Sequence, residues 1–232
     1  MHLFFCPELA DGPVVLPEEE AHHATAVLRL KAGDRIGLLN GKGMRAEAEL
    51  VEVGKRGCTA LVRSTTSVPA ERTASIHIAV APTKQADRIE WFVEKAVELG
   101  VDRITPLFTQ RTERTRMKTE RLERVAIAAM KQSQRAWLPR IDALTSVADL
   151  LKGPMPAQRF FGWCEGVHVP LMKAYDPGAD ALVLIGPEGD FTPEEAMLLR
   201  TKDCSAVSLG ASRLRTETAA LAACAWMSLR QG

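Results

Sequence analysis

The stretch LVLIGPEGDFTPEE, residues 182–195, decides the fold. Leu182 to Ile185 form an unbroken apolar run, the pattern of a strand buried on both faces, and it empties directly into Gly186-Pro187-Glu188-Gly189-Asp190. A helix start follows, with Thr192 as cap, Pro193 at the first position and Glu195 closing a capping box. Strand, glycine turn and helix in that order belong to a parallel sheet covered by helices, where ligands bind at loops leaving the carboxyl ends of strands. Two glycines in such a loop let backbone amides come close to a ligand. No Gly-Lys-Ser/Thr follows and the G-x-G-x-x-G spacing is absent, so neither phosphate-binding signature applies. Glu188 and Asp190 would repel phosphate, and a nucleoside-like or cationic ligand suits the loop better. A plain strand-to-helix turn is the alternative.

The next segment toward the C-terminus repeats the arrangement. In SLGASRLRTETAALAACAWM, residues 208–227, Ser208-Leu209-Gly210 ends a strand, and Thr216 is the expected cap of a helix from Glu217 to Arg230 that is apolar nearly all round. Arg215 and Glu217 flank its amino end, as functional groups or as a structural ion pair. From Ala74 onward, strands are expected at Ile76 to Val80, Ile104 to Leu107, Arg159 to Phe161, Ala181 to Ile185 and Ala206 to Leu209. Helices are expected at Asp87 to Leu99, Lys118 to Arg135, Val147 to Leu151 and Pro193 to Arg200. Asp87 reads as a cap with Glu90 completing its box, and Glu90, Glu94 and Glu98 form a like-charge stripe that requires cationic partners.

Upstream of Ala74 the pattern is mostly β. A helix opens at Pro17-Glu18-Glu19-Glu20 and runs through Ala24, Val27, Leu28 and Leu30 to the Gly33-Asp34 break. Arg35 to Leu39 reads as a strand and Asn40-Gly41-Lys42-Gly43 as a hairpin turn. Met44, Ala46, Ala48 and Leu50 then alternate with polar residues, and a parity flip at Leu50-Val51 marks a bulge. Gly54-Lys55-Arg56-Gly57 is a second turn, Cys58, Ala60 and Val62 mark a further strand, and Ser64 to Thr73 reads as a linker. The expected organisation is a small β-barrel over residues 1–70 and an α/β domain over 74–232.

The chain of 232 residues carries a formal net charge of +1, with 46% hydrophobic and 25% charged residues, an ordinary globular composition. Residues 103–140 hold ten Lys or Arg and three acids, so cationic charge is concentrated in one stretch. That stretch fits either a polyanionic partner or intramolecular pairing with acids such as the Glu90 stripe. Five widely spaced cysteines suggest neither a disulfide framework nor a metal site. The lack of a long apolar run or a signal-peptide pattern at the start implies a cytoplasmic protein without a membrane span.

The two glycine loops taken together resemble the SPOUT class of RNA methyltransferases, and more closely the RsmE-type family, which methylates N3 of a uridine in small-subunit (16S) ribosomal RNA. PTKQADRIEWFVEKAVELGVDRITPLFTQR, residues 82–111, and AAMKQSQRAWLP, residues 128–139, are similar to that family's blocks. His22, Val27-Leu28-Arg29-Leu30 and Gly33-Asp34 resemble its PUA-like RNA-binding domain. Asp190 stands where the family usually has Gly. The resemblance implies a knotted, mostly parallel sheet flanked by helices, an N-terminal PUA-like barrel, a homodimer and S-adenosylmethionine as cofactor, with no metal. Cofactor contacts would come from Leu184, Ile185, Gly186, Pro187, Glu188 and Gly189, and from Leu209, Gly210, Leu214 and Arg215. Arg215 would stabilise a developing oxyanion while Glu217 or Glu188 takes the imide proton. RNA contacts are expected from His22, Arg29, Arg111, Arg114, Arg116, Lys118 and Arg135. The rivals are a non-catalytic RNA-binding protein, a methyltransferase for another RNA nucleotide, and one acting on a small metabolite, for which the cationic stretch would have no purpose.

Overall fold

The structure is a computed structural model that describes residues 1–54 and 57–232, so the turn expected at Lys55-Arg56 lies outside the described residues. The chain divides into two compact units, Met1–Glu71 with Ile127–Leu138, and Arg72–Ala126 with Pro139–Gly232.

In the first unit the strands are β1 (Leu3–Phe5), β2 (Pro13–Val15), β3 (Arg35–Leu39), β4 (Met44–Gly54) and β5 (Gly57–Ser67), ordered β1-β3-β4-β5-β2. β1 and β3 are parallel and the other pairs antiparallel. The inward residues Phe4, Leu16, Ala24, Ile36, Leu38, Leu50 and Ala60 make one apolar core. At the hairpin, the Asn40 side-chain oxygen accepts from the backbone N–H groups of Lys42 at 2.8 Å and Met44 at 2.9 Å. The expected irregularity appears between Leu50 and Glu52, with a second between Glu47 and Ala48.

Two expectations are corrected in this unit, and two strands are added. The helix does not reach Leu30: α1 (Glu18–His22) continues as one π-helical turn, His23–Val27, and ends because Arg29 adopts φ 55°. Ser64–Ser67 is not linker but the end of β5, where it pairs with Met44–Glu47. Polar Ser and Thr suit the exposed face of a strand as well as a loop. β1 and β2, each three residues long, carry too little alternation to be read from sequence.

Residues 127–138 belong with this unit through specific contacts. The Lys131 ammonium lies 2.5 Å from Glu20, Arg135 lies 2.8 Å from Glu71, and the Trp137 indole N–H donates to the Val68 carbonyl at 3.1 Å. A Cβ on Gly43 would meet the Trp137 ring at 2.4 Å, so glycine is required for this approach as well as for its φ of 85°.

The second unit is an eight-stranded parallel sheet among the described residues. In chain order it runs β6 (Ile76–Val80), α2 (Ala86–Glu98), β7 (Arg103–Phe108), α3 (Thr119–Gln132), β8 (Arg140–Ile141), β9 (Thr145–Ser146), α4 (Val147–Leu150) and β10 (Gln158–Gly162). β11 (Val169–Pro170), α5 (Leu171–Ala174), β12 (Ala181–Ile185), α6 (Pro193–Thr201), β13 (Ser205–Ser208) and α7 (Thr216–Gln231) follow. Spatially the order is β11-β13-β10-β12-β6-β7-β8, with β9 also on β7. β12 and β6 are central and buried throughout, which explains the continuous apolar sequence of β12 and that of β6 apart from His77.

α2 buries Ile89, Phe92, Val93, Ala96 and Val97 as the stripe requires, but Gln85, not Asp87, occupies the cap position and makes no side-chain cap bond. Asp87 is two residues too far inside, and Glu90 is drawn instead to Arg121 at 2.5 Å. Lys95 sits between Glu94 and Glu98 at 2.7 and 2.8 Å. The like-charge stripe is thus compensated, and from within the basic stretch only by Arg121 among these pairs.

Candidate active site

Three loops at the carboxyl ends of β10, β12 and β13 enclose a cleft of about 980 Å³. From β12 the chain passes Gly186-Pro187-Glu188 and turns at Gly189, φ 100°, and Asp190, φ 68°. The backbone N–H of Asp190 donates to the Pro187 carbonyl at 2.9 Å. An aspartate tolerates this left-handed conformation when its side chain bonds locally, and here one oxygen accepts from Phe191 N–H and the other from Cys164 N–H, both at 2.8 Å. Asp190 therefore replaces glycine's freedom with a tie to the β10 loop. The expected capping box at Thr192 and Glu195 is present in full.

The basic stretch reaches this loop. Nη1 of Arg111 donates to the carbonyls of Gly189 and Phe191, the latter at 3.1 Å. One oxygen of the buried Glu195 carboxylate accepts from Gln110 N–H at 2.9 Å, and the other from Thr192 N–H at 2.9 Å. Residues 110–111 are in this way fastened to the loop after β12.

From β13 the chain runs through Gly210, φ 115°, with open space where a Cβ would stand, to Arg215. Arg215, not Thr216, occupies the cap position of α7. Thr216 lies inside the first turn, and its hydroxyl donates to the Gly186 carbonyl at 3.3 Å, joining the two glycine loops. The two glycines differ in role: a Cβ on Gly186 would meet Phe191 N at 3.0 Å, so that glycine accommodates the loop's own backbone, while Gly210 faces open space.

Of the residues expected to hold a cofactor, Ile185 to Gly189, Leu209, Gly210, Leu214 and Arg215 line the cleft; Leu184 is buried within β12 and does not. Glu188 lines it with its side chain 62% exposed. Glu217 does not line it: its carboxylate is buried, 3.5 Å from Arg88, and its second oxygen has no hydrogen-bond partner. Arg88 also stands 3.9 Å from Glu188, so Glu217 is paired with Arg88 and not with Arg215. Sequence reasoning missed Arg88, whose position one turn into α2 gave no signal. It also missed the loop Gly162-Trp163-Cys164-Glu165-Gly166, although two glycines after an apolar Phe160-Phe161 pair repeat the pattern of the other two loops.

Cys164 is the one exposed cysteine among the described residues. Burial and the neighbouring Asp190 carboxylate raise its thiol above the usual range, which opposes a nucleophilic role. No group of three or more His, Cys, Asp or Glu among the described residues is placed to hold a metal ion.

The expected RNA-contacting residues separate into two groups. His22, Arg29, Arg116 and Lys118 are exposed and Arg114 is half-buried. Arg111 belongs to the cleft wall, and Arg135 is half-buried against Glu71 with 16% of its side chain exposed.

Residues 70–228 match the family described as RNA methyltransferase domain, and residues 16–63 match RNA methyltransferase PUA domain. A curated relative, ribosomal RNA small subunit methyltransferase E of Rickettsia conorii, is 30% identical over 91% of this chain and 87% of its own. The chain belongs to the ribosomal RNA small subunit methyltransferase E family of RNA methyltransferases. Among solved structures similar to this family member, a probable rRNA-methyltransferase from Porphyromonas gingivalis is 40% identical with a TM-score of 0.91, covering 100% of this chain and 98% of that one. Ribosomal RNA small subunit methyltransferase E from Neisseria gonorrhoeae, bound to S-adenosyl methionine, is 29% identical with a TM-score of 0.89, covering 99% and 98%. Family and mixed α/β fold agree with what the paired glycine loops implied, and the N-terminal PUA domain with the resemblance of His22, Val27 to Leu30 and Gly33-Asp34.

Proposed function

We propose that this RNA methyltransferase transfers a methyl group from S-adenosylmethionine to N3 of a uridine in small-subunit ribosomal RNA. The observation that carries the proposal is the cleft: two glycine loops, joined through Thr216 and Gly186, present backbone at the carboxyl ends of parallel strands in a member of this family. The residues fit the cofactor. A cleft of about 980 Å³ has the size of a cofactor site, Ile185, Leu209 and Leu214 give apolar walls, Gly210 leaves open space that a Cβ would fill, and Glu188 offers a carboxylate toward a cation. When bound, S-adenosylmethionine supplies an electrophilic methyl group. Isothermal titration with S-adenosylmethionine tests this fit directly, and absence of binding to the folded protein contradicts it.

The protein's part is to orient the uracil ring, remove the N3 proton and stabilise the negative charge that spreads onto the ring oxygens. In this reading Glu188, which lines the cleft, takes the proton in preference to the buried Glu217, and Arg215, which also lines the cleft, stabilises the oxyanion. N3 lies on the Watson–Crick edge, so the uridine must be unpaired or flipped out to react.

Residues 1–70 and 74–232 are assigned to RNA binding and to methyl transfer respectively. RNA contacts are assigned to His22, Arg29, Arg114, Arg116 and Lys118. Arg111 and Arg135 leave the phosphate-contacting set because each is engaged within the chain. Homodimer formation and the knotted C-terminal path belong to the same proposal. α7 buries Ala220, Ala223, Cys224 and Met227 but leaves Leu229 75% exposed, an apolar side that a second copy would cover. Sedimentation as a monomer would contradict the dimer. Among the described residues no helix is long and apolar enough to cross a membrane, and action in the cytoplasm, on ribosomal RNA, is part of the proposal.

A further inference from the structure

A second cavity of about 470 Å³ lies in the methyltransferase unit, between the first turns of α2 and α3 and the segment that joins β7 to α3. Its floor is apolar: Ala86 and Ile89 from α2, Met117 from the joining segment and Leu122 from α3. Its rim is cationic, with Arg114, Arg116, Lys118 and Arg121. The single acid in its lining, Glu90, is taken by Arg121 at 2.5 Å, and the nearby Glu113 is taken by Lys84 at 3.2 Å. Arg114 directs its Nε to the Arg116 carbonyl, which orders the segment without neutralising it. Arg116 and Lys118 make no ion pair among the described residues, so the groove keeps uncompensated positive charge above a greasy floor.

An apolar floor with unpaired cations at its rim suits one nucleotide of a single strand: the base lies against the aliphatic floor and the arginine planes, and the flanking phosphates meet the rim. A double helix does not meet it, because paired bases cannot turn onto the floor. We propose that this groove binds a nucleotide of the RNA strand that flanks the target, holding the strand single and in register while the target base occupies the cleft. The proposal rests on RNA as substrate, as argued above, and adds a subsite separate from the cofactor loops.

The test uses the full-length protein and a single-stranded RNA oligonucleotide containing 4-thiouridine at successive positions. Irradiation should crosslink one position to a peptide spanning residues 114–122, identified by mass spectrometry. In parallel, Arg116→Gln with Lys118→Gln should weaken binding of the oligonucleotide on the order of tenfold at 0.1 M salt and reduce the slope of log affinity against log salt by about 1.4, the value for two phosphate contacts to a single strand. Met117→Ser should weaken binding several-fold with the slope unchanged, and S-adenosylmethionine affinity should stay constant in both variants. Crosslinks confined to other segments, an unchanged slope, or equal protection of the groove by poly-glutamate would overturn the subsite. Because these readouts are of RNA binding, they hold whether or not methyl transfer occurs. Crosslinking in the groove without transfer would keep the subsite and sink the proposed activity, while transfer without groove crosslinks would do the reverse.

Discussion

Nη1 of Arg111 donates to the carbonyls of both Gly189 and Phe191, so a cation from the basic stretch holds the loop that follows β12. The same charge that suggested a phosphate contact in the sequence is used here to fix the wall of the cofactor cleft. Arg111→Met should therefore weaken S-adenosylmethionine binding by about tenfold, the worth of a charge-assisted hydrogen bond, and Arg111→Lys should recover part of the loss, because both bonds leave one nitrogen and an ammonium carries three N–H donors. Calorimetry with the cofactor and salt titration with RNA separate the roles. Unchanged cofactor affinity with an RNA slope reduced by about 0.7 would return Arg111 to the phosphate contacts.

Gly186 and Gly210 should fail differently when substituted. Gly186→Val drives a side chain into Phe191 N and the Asp190 carbonyl carbon, 3.0 and 3.2 Å from the Cβ position, and should lower both thermal stability and cofactor affinity. A Cβ on Gly210 has no neighbour within 4 Å and the residue lines the cleft, so for Gly210→Val the loss should fall chiefly on cofactor affinity, with a smaller stability cost from its φ of 115°. Thermal melts and calorimetry on both variants check this, and equal losses of stability would contradict it.

Arg88 is the only ion-pair partner seen for the buried Glu217 among the described residues. Arg88→Met should cost about 2 kcal/mol because it leaves a carboxylate uncompensated, and adding Glu217→Gln should recover most of that loss. Urea unfolding of the two single variants and the double variant measures the coupling. A value under about 0.5 kcal/mol would mean that the pair is not held in solution.

At the opposite end of the sheet, His77 Nε2 lies 2.7 Å from the Thr105 hydroxyl, which donates to Asp142. Arg103 and Arg140 lie 2.6 and 2.8 Å from that carboxylate. Burial, reinforced by Arg103, lowers the His77 pKa from 6.5 to about 4. Burial alone would raise the Asp142 carboxyl, but hydrogen bonds from Arg103 and Thr105 and the adjacent cations outweigh it and hold the carboxyl below its usual range. Between pH 6.5 and 4 the unfolded chain binds a proton at His77 that the folded chain does not, so stability falls with pH there; Asp142 continues the fall at lower pH. Urea midpoints should show a loss of about 2 kcal/mol from pH 7 to pH 5 attributable to His77, absent in His77→Gln. An identical pH dependence in both proteins would refute the assignment.

Much of this architecture was legible because local and global signals agreed. The apolar run at Leu182 to Ile185, the Thr192 capping box and the Asn40 hairpin each depend on neighbours in sequence, and each appears in the structure where the residues place it. Errors arose where a tertiary partner decided the outcome. Glu90 left the α2 cap for Arg121, and Thr216 left the α7 cap for the Gly186 carbonyl. Lys131, Arg135 and Trp137 tie residues 127–138 to the first unit through contacts with Glu20, Glu71 and Val68 that no local pattern announces. The cleft-lining loops were visible as paired glycines, while Arg88 and the inward use of Arg111 were not, since composition shows a charge but not its partner.

The central claim is methyl transfer to one atom of one kind of nucleotide. Small-subunit ribosomal RNA from cells lacking the enzyme, incubated with the purified protein and S-adenosylmethionine carrying a labelled methyl group, should be digested to nucleosides and the labelled product identified by mass spectrometry against authentic 3-methyluridine. The account predicts label in 3-methyluridine at a single position, lost in Gly210→Val. Label in any other nucleoside, or no label in RNA from a protein that binds the cofactor, would contradict it.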